Sequence, residues 1–126
     1  MGGAHVLVLD DEEKLRSTLV EFLHEHGYET SCAPDSRSGV ELAMLESPDI
    51  ILLDIDLPRV NGLDAIPALQ HVAPSARIIV ITGNTAPDLA DRTFRQGGFD
   101  FLQKPLDYHA LGQSLDSALM LGAPSA

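Results

Sequence analysis

With 126 residues, 44% of them hydrophobic and 21% charged, the chain has the size and composition of one globular domain with its own core, which argues against a multidomain enzyme, a fibrous array or a disordered tail. Eight Lys and Arg against nineteen Asp and Glu give a formal net charge of -11, a balance that repels a phosphate backbone and argues against direct nucleic-acid binding. No apolar run approaches the ~20 residues of a membrane span, and Met1 to His5 lack the basic and apolar regions of a secretory signal, so a cytoplasmic protein away from membranes is expected. The single cysteine, Cys32, leaves no intrachain disulfide and no thiolate zinc site; it reads as a packing residue.

Five short apolar runs recur along the chain, over 5–9, 28–33, 49–53, 77–81 and 98–102. They predict five strands. The runs Val6 to Leu9, Ile50 to Leu53 and Ile78 to Ile81 are continuously apolar, as parallel strands covered on both faces require. Between them the spacing turns helical: Leu15, Leu19, Phe22 and Leu23 in the first interval, and Leu111, Leu115 and Leu119 in the last. Gly27 is placed to end the first helix. Pro67 implies that a third helix starts near Asp64 or kinks. Thr85-Ala86-Pro87-Asp88 reads as a capping box with proline in the first turn, and Asp107 as the N-cap of the last helix. The fold predicted is a (βα)5 three-layer α/β sandwich. Its domain is expected to span 1–121, with 122–126 a flexible tail or the start of a linker.

In a parallel sheet the carboxyl ends of the strands share one edge, and ligands bind there where the strand order reverses. Asp10, Asp11 and Glu12 follow the first strand, Asp54 and Asp56 the third, Thr82 the fourth and Lys104 the fifth. In a flavodoxin-like order 2-1-3-4-5, Asp10, Asp11 and Asp54 converge. Two carboxylates 4 Å apart repel by about 4 kcal/mol at an effective dielectric of 20, so the cluster needs a cation or a raised pKa. Oxygen ligands alone suit Mg²⁺. Helix capping alone would account for Asp11 or Glu12. It does not account for Asp54, a carboxylate that directly follows four aliphatic residues and is costly to bury unpaired. A carboxylate, a metal, a hydroxyl and an ammonium together make a site for phosphoryl transfer, with Asp54 as the nucleophile. None of His5, His24, His26, His71 and His109 falls at a strand's carboxyl end, so none is taken as a ligand or phosphorylation site.

These residues resemble the receiver domains of two-component response regulators over roughly His5 to Leu119. The motifs that carry the resemblance are V-L-V-L-D-D-E at Val6 to Glu12, I-L-L-D-I-D-L-P-R-V-N-G at Ile51 to Gly62, I-T-G at Ile81 to Gly83 and G-F-D-F-L-Q-K-P at Gly98 to Pro105. The resemblance implies that Asp54 accepts a phosphoryl group from a sensor histidine kinase or a phosphotransfer protein. It also implies that Asp11 and Asp54 bind Mg²⁺ directly, Asp10 acts mostly through water, and the Asp56 main-chain carbonyl completes the protein ligands. Lys104 pairs with the phosphoryl oxygens, across a cis bond to Pro105; Thr82 donates its hydroxyl, and Phe101 turns inward as the switch aromatic. The surface of the fourth helix, fifth strand and fifth helix, about 87–119, then reads out the change to control an output, in some members by homodimerisation. Such a protein catalyses its own phosphorylation and dephosphorylation without being a conventional turnover enzyme. Departures are Leu57 where methionine is common, Gly83 where alanine or serine is common and Gly98 where alanine is common.

Other readings compete. A phosphorylation-independent interaction module of the same fold has no need to keep Asp10, Asp11, Asp54, Thr82 and Lys104 together. A haloacid-dehalogenase-type phosphotransferase matches Leu52 to Asp56, but its motif belongs on the first strand and its fold needs a longer chain. A flavin carrier needs hydroxyls and amides after the first strand, where this chain is acidic.

Overall fold

The computed structural model describes residues 3–57 and 62–122. Residues 58–61, inside the motif Ile51 to Gly62, and 123–126 of the expected tail lie outside the described residues. The chain alternates β1 (His5–Leu9), α1 (Glu13–Glu25), β2 (Glu29–Ala33), α2 (Ser36–Glu46), β3 (Ile50–Asp54), α3 (Ala65–Val72), β4 (Arg77–Thr82), α4 (Leu89–Arg95), β5 (Asp100–Gln103) and α5 (Tyr108–Gly122), with a 3-10 turn over Gly62–Asp64 before α3. All four strand pairs are parallel, in the order β2-β1-β3-β4-β5. This is the predicted doubly wound sandwich.

The apolar strands divide their side chains between two cores, because successive residues of a strand face opposite sides of the sheet. Val6, Val8, Ile50, Leu52, Ile79 and Ile81 pack with Leu19 and Leu23 of α1 and Leu111, Leu115 and Ala118 of α5. Leu7, Leu9, Ile51, Leu53, Ile78 and Val80 pack on the other side with Ala43 of α2, Ile66 and Leu69 of α3, and Leu89 of α4. Each such Leu, Ile or Val contributes about 1.5–3 kcal/mol relative to an exposed position. With β1 and β3 adjacent at the centre and buried on both faces, the residues just beyond them are held at a fixed place on the sheet edge. Among the described residues no helix is long and apolar enough to cross a membrane.

The helix ends follow local chemistry. Gly27 closes α1 at φ 84, with its amide donating to the His24 carbonyl and that of Tyr28 to the Leu23 carbonyl, the double bond of a Schellman cap. Asp107 caps α5 through Oδ1, which accepts from the amides of His109 at 2.9 Å and Ala110 at 3.3 Å. The helix α3 begins at Ala65, so Pro67 falls within its first turn, where no intrahelical donor is lost.

Two expectations are corrected. The capping box at Thr85 does not form: α4 begins at Leu89, and its N-cap Asp88 makes no side-chain cap bond. Pro87 disfavours helical backbone at the residue before it, and the segment instead turns, with the Leu89 amide on the Ala86 carbonyl and the Ala86 amide on Asn84 Oδ1. The fifth strand starts at Asp100 and not at 98, because Gly97 and Gly98 are spent closing α4. Gly97 has φ 101, and the two amides donate to the carbonyls of Phe94 and Thr93.

Candidate phosphoryl-transfer site

The carboxyl edge of the sheet gathers the predicted polar residues. Asp10, directly after β1, is 1% exposed, and Asp54, the last residue of β3, is 2% exposed. The register sets Leu9 beside Leu53, so the two carboxylates follow one another at adjacent strand ends. Asp11 is exposed beside them, and one oxygen from each of Asp10, Asp11 and Asp54 lies within 4.8 Å of the other two.

The two buried carboxylates are satisfied unequally. Asp10 Oδ1 accepts from the Glu12 amide at 2.7 Å, whereas Asp10 Oδ2 is buried with no hydrogen-bond partner among the described residues. Burial pushes the Asp10 carboxyl up to about 6, with the charge of Asp54 adding to the shift and the Glu12 amide and Lys104 ammonium opposing it. Asp54 Oδ1 accepts from the Asp56 amide at 2.8 Å, and its Oδ2 accepts from Lys104 Nζ at 2.8 Å. Burial alone would lower the Lys104 pKa, but the hydrogen bond and charge of Asp54, with the charges of Asp10 and Asp56, raise it above its ordinary value. The single ammonium thus faces three carboxylates. A hard divalent cation fits this donor set: oxygen ligands only, one of them a buried oxygen without a hydrogen-bond partner among the described residues.

The other side of the site is built by β4 and β5. Thr82 ends β4 fully buried, and its hydroxyl donates to Asp56 Oδ1 at 2.6 Å while accepting from the Asn84 amide at 2.9 Å. The Gly83 amide donates to Asp56 Oδ2 at 2.7 Å, and that oxygen lies 3.9 Å from Lys104 Nζ. The Lys104-Pro105 peptide is cis, as the resemblance implies. Phe101 lies apart from these hydrogen bonds: it pairs with Val80 in the sheet and packs, half-buried, on the core formed with α2 to α4.

The structure therefore brings Asp10, Asp11, Asp54, Asp56, Thr82 and Lys104 together and leaves Phe101 beside them. What the sequence reading missed is that the Asp56 carboxylate, expected with Asn84 only to border the path of a hydrolytic water, bonds Thr82 and Gly83. The β3–β4 register accounts for it: Asp54 pairs with Ile81, so Asp56, two residues on, meets Thr82 and Gly83, one and two residues beyond Ile81. The histidines stay outside the site. His5 opens β1 at the opposite edge, against Ser31 and Glu46, while His24 and His26 bond Thr30 and the Phe22 carbonyl.

Comparison with known proteins agrees with this geometry. The profile of the response regulator receiver domain family matches residues 6–116. The chain is similar to the transcriptional regulatory protein PdtaR of Mycobacterium tuberculosis, 36% identical over 117 residues that make up 90% of this chain and 56% of that protein. It thus spans little more than half of that relative's length. It is also similar to protein PilH of Pseudomonas aeruginosa, 34% identical over 118 residues, 92% of this chain and 98% of that one. In fold it matches a response regulator receiver domain protein from Methanospirillum hungatei, with a TM-score of 0.90 at 21% identity over 96% of this chain and 97% of the other.

Proposed function

The chain belongs to the receiver domains of response regulators, phosphorylation-dependent signalling switches that work with histidine kinases or phosphotransfer proteins, and from that premise we propose that Asp54 is the residue that receives the phosphoryl group. The observation that carries the assignment is the convergence of Asp10, Asp11 and Asp54, with a buried carboxylate oxygen of Asp10 unpartnered among the described residues and Lys104 bonded to Asp54.

In the proposed reaction a carboxylate oxygen of Asp54 attacks the phosphorus of a phosphohistidine. The new P–O bond forms as the P–N bond breaks, and the imidazole leaves with the electron pair of that bond. Catalysis of such a transfer is positioning and charge neutralisation. Asp54 is fixed by the Asp56 amide and Lys104, so little reorganisation precedes attack. Asp11 and Asp54, with the Asp56 carbonyl and with Asp10 through water, are the groups that would hold Mg²⁺. That ion would neutralise charge on the transferring oxygens. The Lys104 ammonium, the Thr82 hydroxyl and the Gly83 amide are the groups that would donate to the acyl phosphate once it forms.

The dianion rewards the conformation in which these donors face it and so biases an existing two-state equilibrium. Moving that equilibrium from 1:99 to 99:1 takes about 5.5 kcal/mol, within the reach of a few charge-assisted hydrogen bonds. Thr82 and Phe101 would carry the shift to α4, β5 and α5, the surface proposed to meet an output or a second copy of the chain. The net charge of -11 supports a domain that does not itself bind nucleic acid. Phosphoramidate, a small P–N donor, tests the assignment. With Mg²⁺ present, hydroxylamine trapping followed by peptide mapping is expected to place the acyl modification at Asp54; a modification on another residue, or one stable to hydroxylamine, contradicts it.

A further inference from the structure

The Thr82 hydroxyl and the Gly83 amide each carry a single proton to donate. Both protons are already engaged, at 2.6 Å and 2.7 Å, by the two oxygens of the Asp56 carboxylate. That carboxylate also faces Lys104 Nζ at 3.9 Å. It thus sits on the donors that an acyl phosphate on Asp54 would use.

We propose that Asp56 is a built-in competing anion, a latch that holds the loop after β4 in its resting arrangement and must be displaced when Asp54 is phosphorylated. The inference rests on the assignment of Asp54 as phosphoacceptor. Neither donor can serve two strong acceptors at once, so occupancy by Asp56 and by the phosphoryl group is mutually exclusive. The exchange is feasible because the Asp56 side chain is 37% exposed and can rotate into water, whereas Asp54 and Thr82 are buried. Two carboxylate hydrogen bonds stabilise the resting loop, and the phosphoryl group has to exceed them before it can shift the switch. Asp56 therefore acts as a positioning residue that sets the threshold. Its main-chain carbonyl is untouched by side-chain substitution, so the latch can be removed without deleting that oxygen.

Beryllium fluoride with Mg²⁺, a stable mimic of an aspartyl phosphate, separates displacement from hydrolysis because it is not hydrolysed. The wild-type protein, Asp56→Ala and Asp56→Asn are titrated with it by NMR, with Asp54→Asn as control. Losing the two competing bonds, with water replacing Asp56 at both donors, is worth about tenfold in affinity. Half-saturation of Asp56→Ala is therefore expected at about one tenth of the wild-type concentration, with Asp56→Asn between. In the unliganded proteins, the Gly83 amide is expected to be protected from hydrogen exchange in the wild type and to lose that protection in Asp56→Ala. Equal or weaker binding by both variants, with Asp54-dependent wild-type binding intact, overturns the latch alone, as does a Gly83 amide indifferent to Asp56. Absence of binding in the wild type and in both variants overturns the phosphoacceptor assignment and the latch with it. Asp56→Asn preserves side-chain shape and carries the test if Asp56→Ala does not fold.

Discussion

Replacing Asp10 by Asn separates two roles of one carboxylate, a cost to the metal-free fold and a ligand for the cation. Burial holds this carboxyl at about 6, against 3.8 in an unfolded chain. The folded protein thus binds the proton more tightly than the unfolded chain. Its stabilising contribution is fully present below pH 3.8 and is lost as pH rises through about 6. The loss reaches about 3 kcal/mol above pH 7, and about half of it has developed at pH 5. Asparagine keeps an acceptor for the Glu12 amide and replaces the orphaned Oδ2 without a charge. In urea denaturation without metal at pH 7.5, Asp10→Asn is expected to be more stable than the wild type by up to about 3 kcal/mol, with the gap about halved at pH 5. Added Mg²⁺ at a hundred times its dissociation constant stabilises the wild type by about 2.7 kcal/mol, and the same concentration is expected to do much less for the variant. A variant no more stable than the wild type at pH 7.5, or a gap identical at the two pH values, would refute the reasoning.

Lys104→Met leaves the buried Asp54 carboxylate without its cation. With the lysine side chain 24% exposed, the expected loss is about 2–3 kcal/mol in metal-free urea denaturation, partly restored by Mg²⁺; unchanged stability would show that the pair does not hold the site together. Asp107→Ala removes the acceptor for two amides at the start of α5 and is expected to cost about 1 kcal/mol, read as a lowered urea midpoint with an unchanged slope. A midpoint equal to that of the wild type would refute the cap.

The continuous apolar runs made the parallel sheet legible, since strands such as Ile50–Asp54 are buried on both faces and leave no room for alternation. The site was legible for the same reason. A sheet of known order turns residues that follow strands, such as Asp10, Asp54, Thr82 and Lys104, into neighbours. Where the sequence misled, short-range chemistry had more than one outlet. Thr85 and Pro87 match a helix start, but Asn84 and the turn at Ala86 take up the backbone donors first. The glycines at 97 and 98 fit either a strand entry or a helix exit, and the left-handed backbone at Gly97 decides for the exit. The bonds of the Asp56 carboxylate were not foreseen because its partners Thr82 and Gly83 lie 26 and 27 residues away, a pairing set by the β3–β4 register and not by local pattern. A Cβ at Gly98 would meet Thr93 Cγ2 at 2.6 Å. Its smallness serves the packing of the α4 cap.

The central claim is tested most directly by intact mass after incubation with acetyl phosphate and Mg²⁺, beside Asp54→Asn and a sample with the metal chelated. The account predicts a single phosphoryl adduct that requires metal and disappears in Asp54→Asn. No adduct in the wild-type protein, or one that persists in Asp54→Asn, would contradict it.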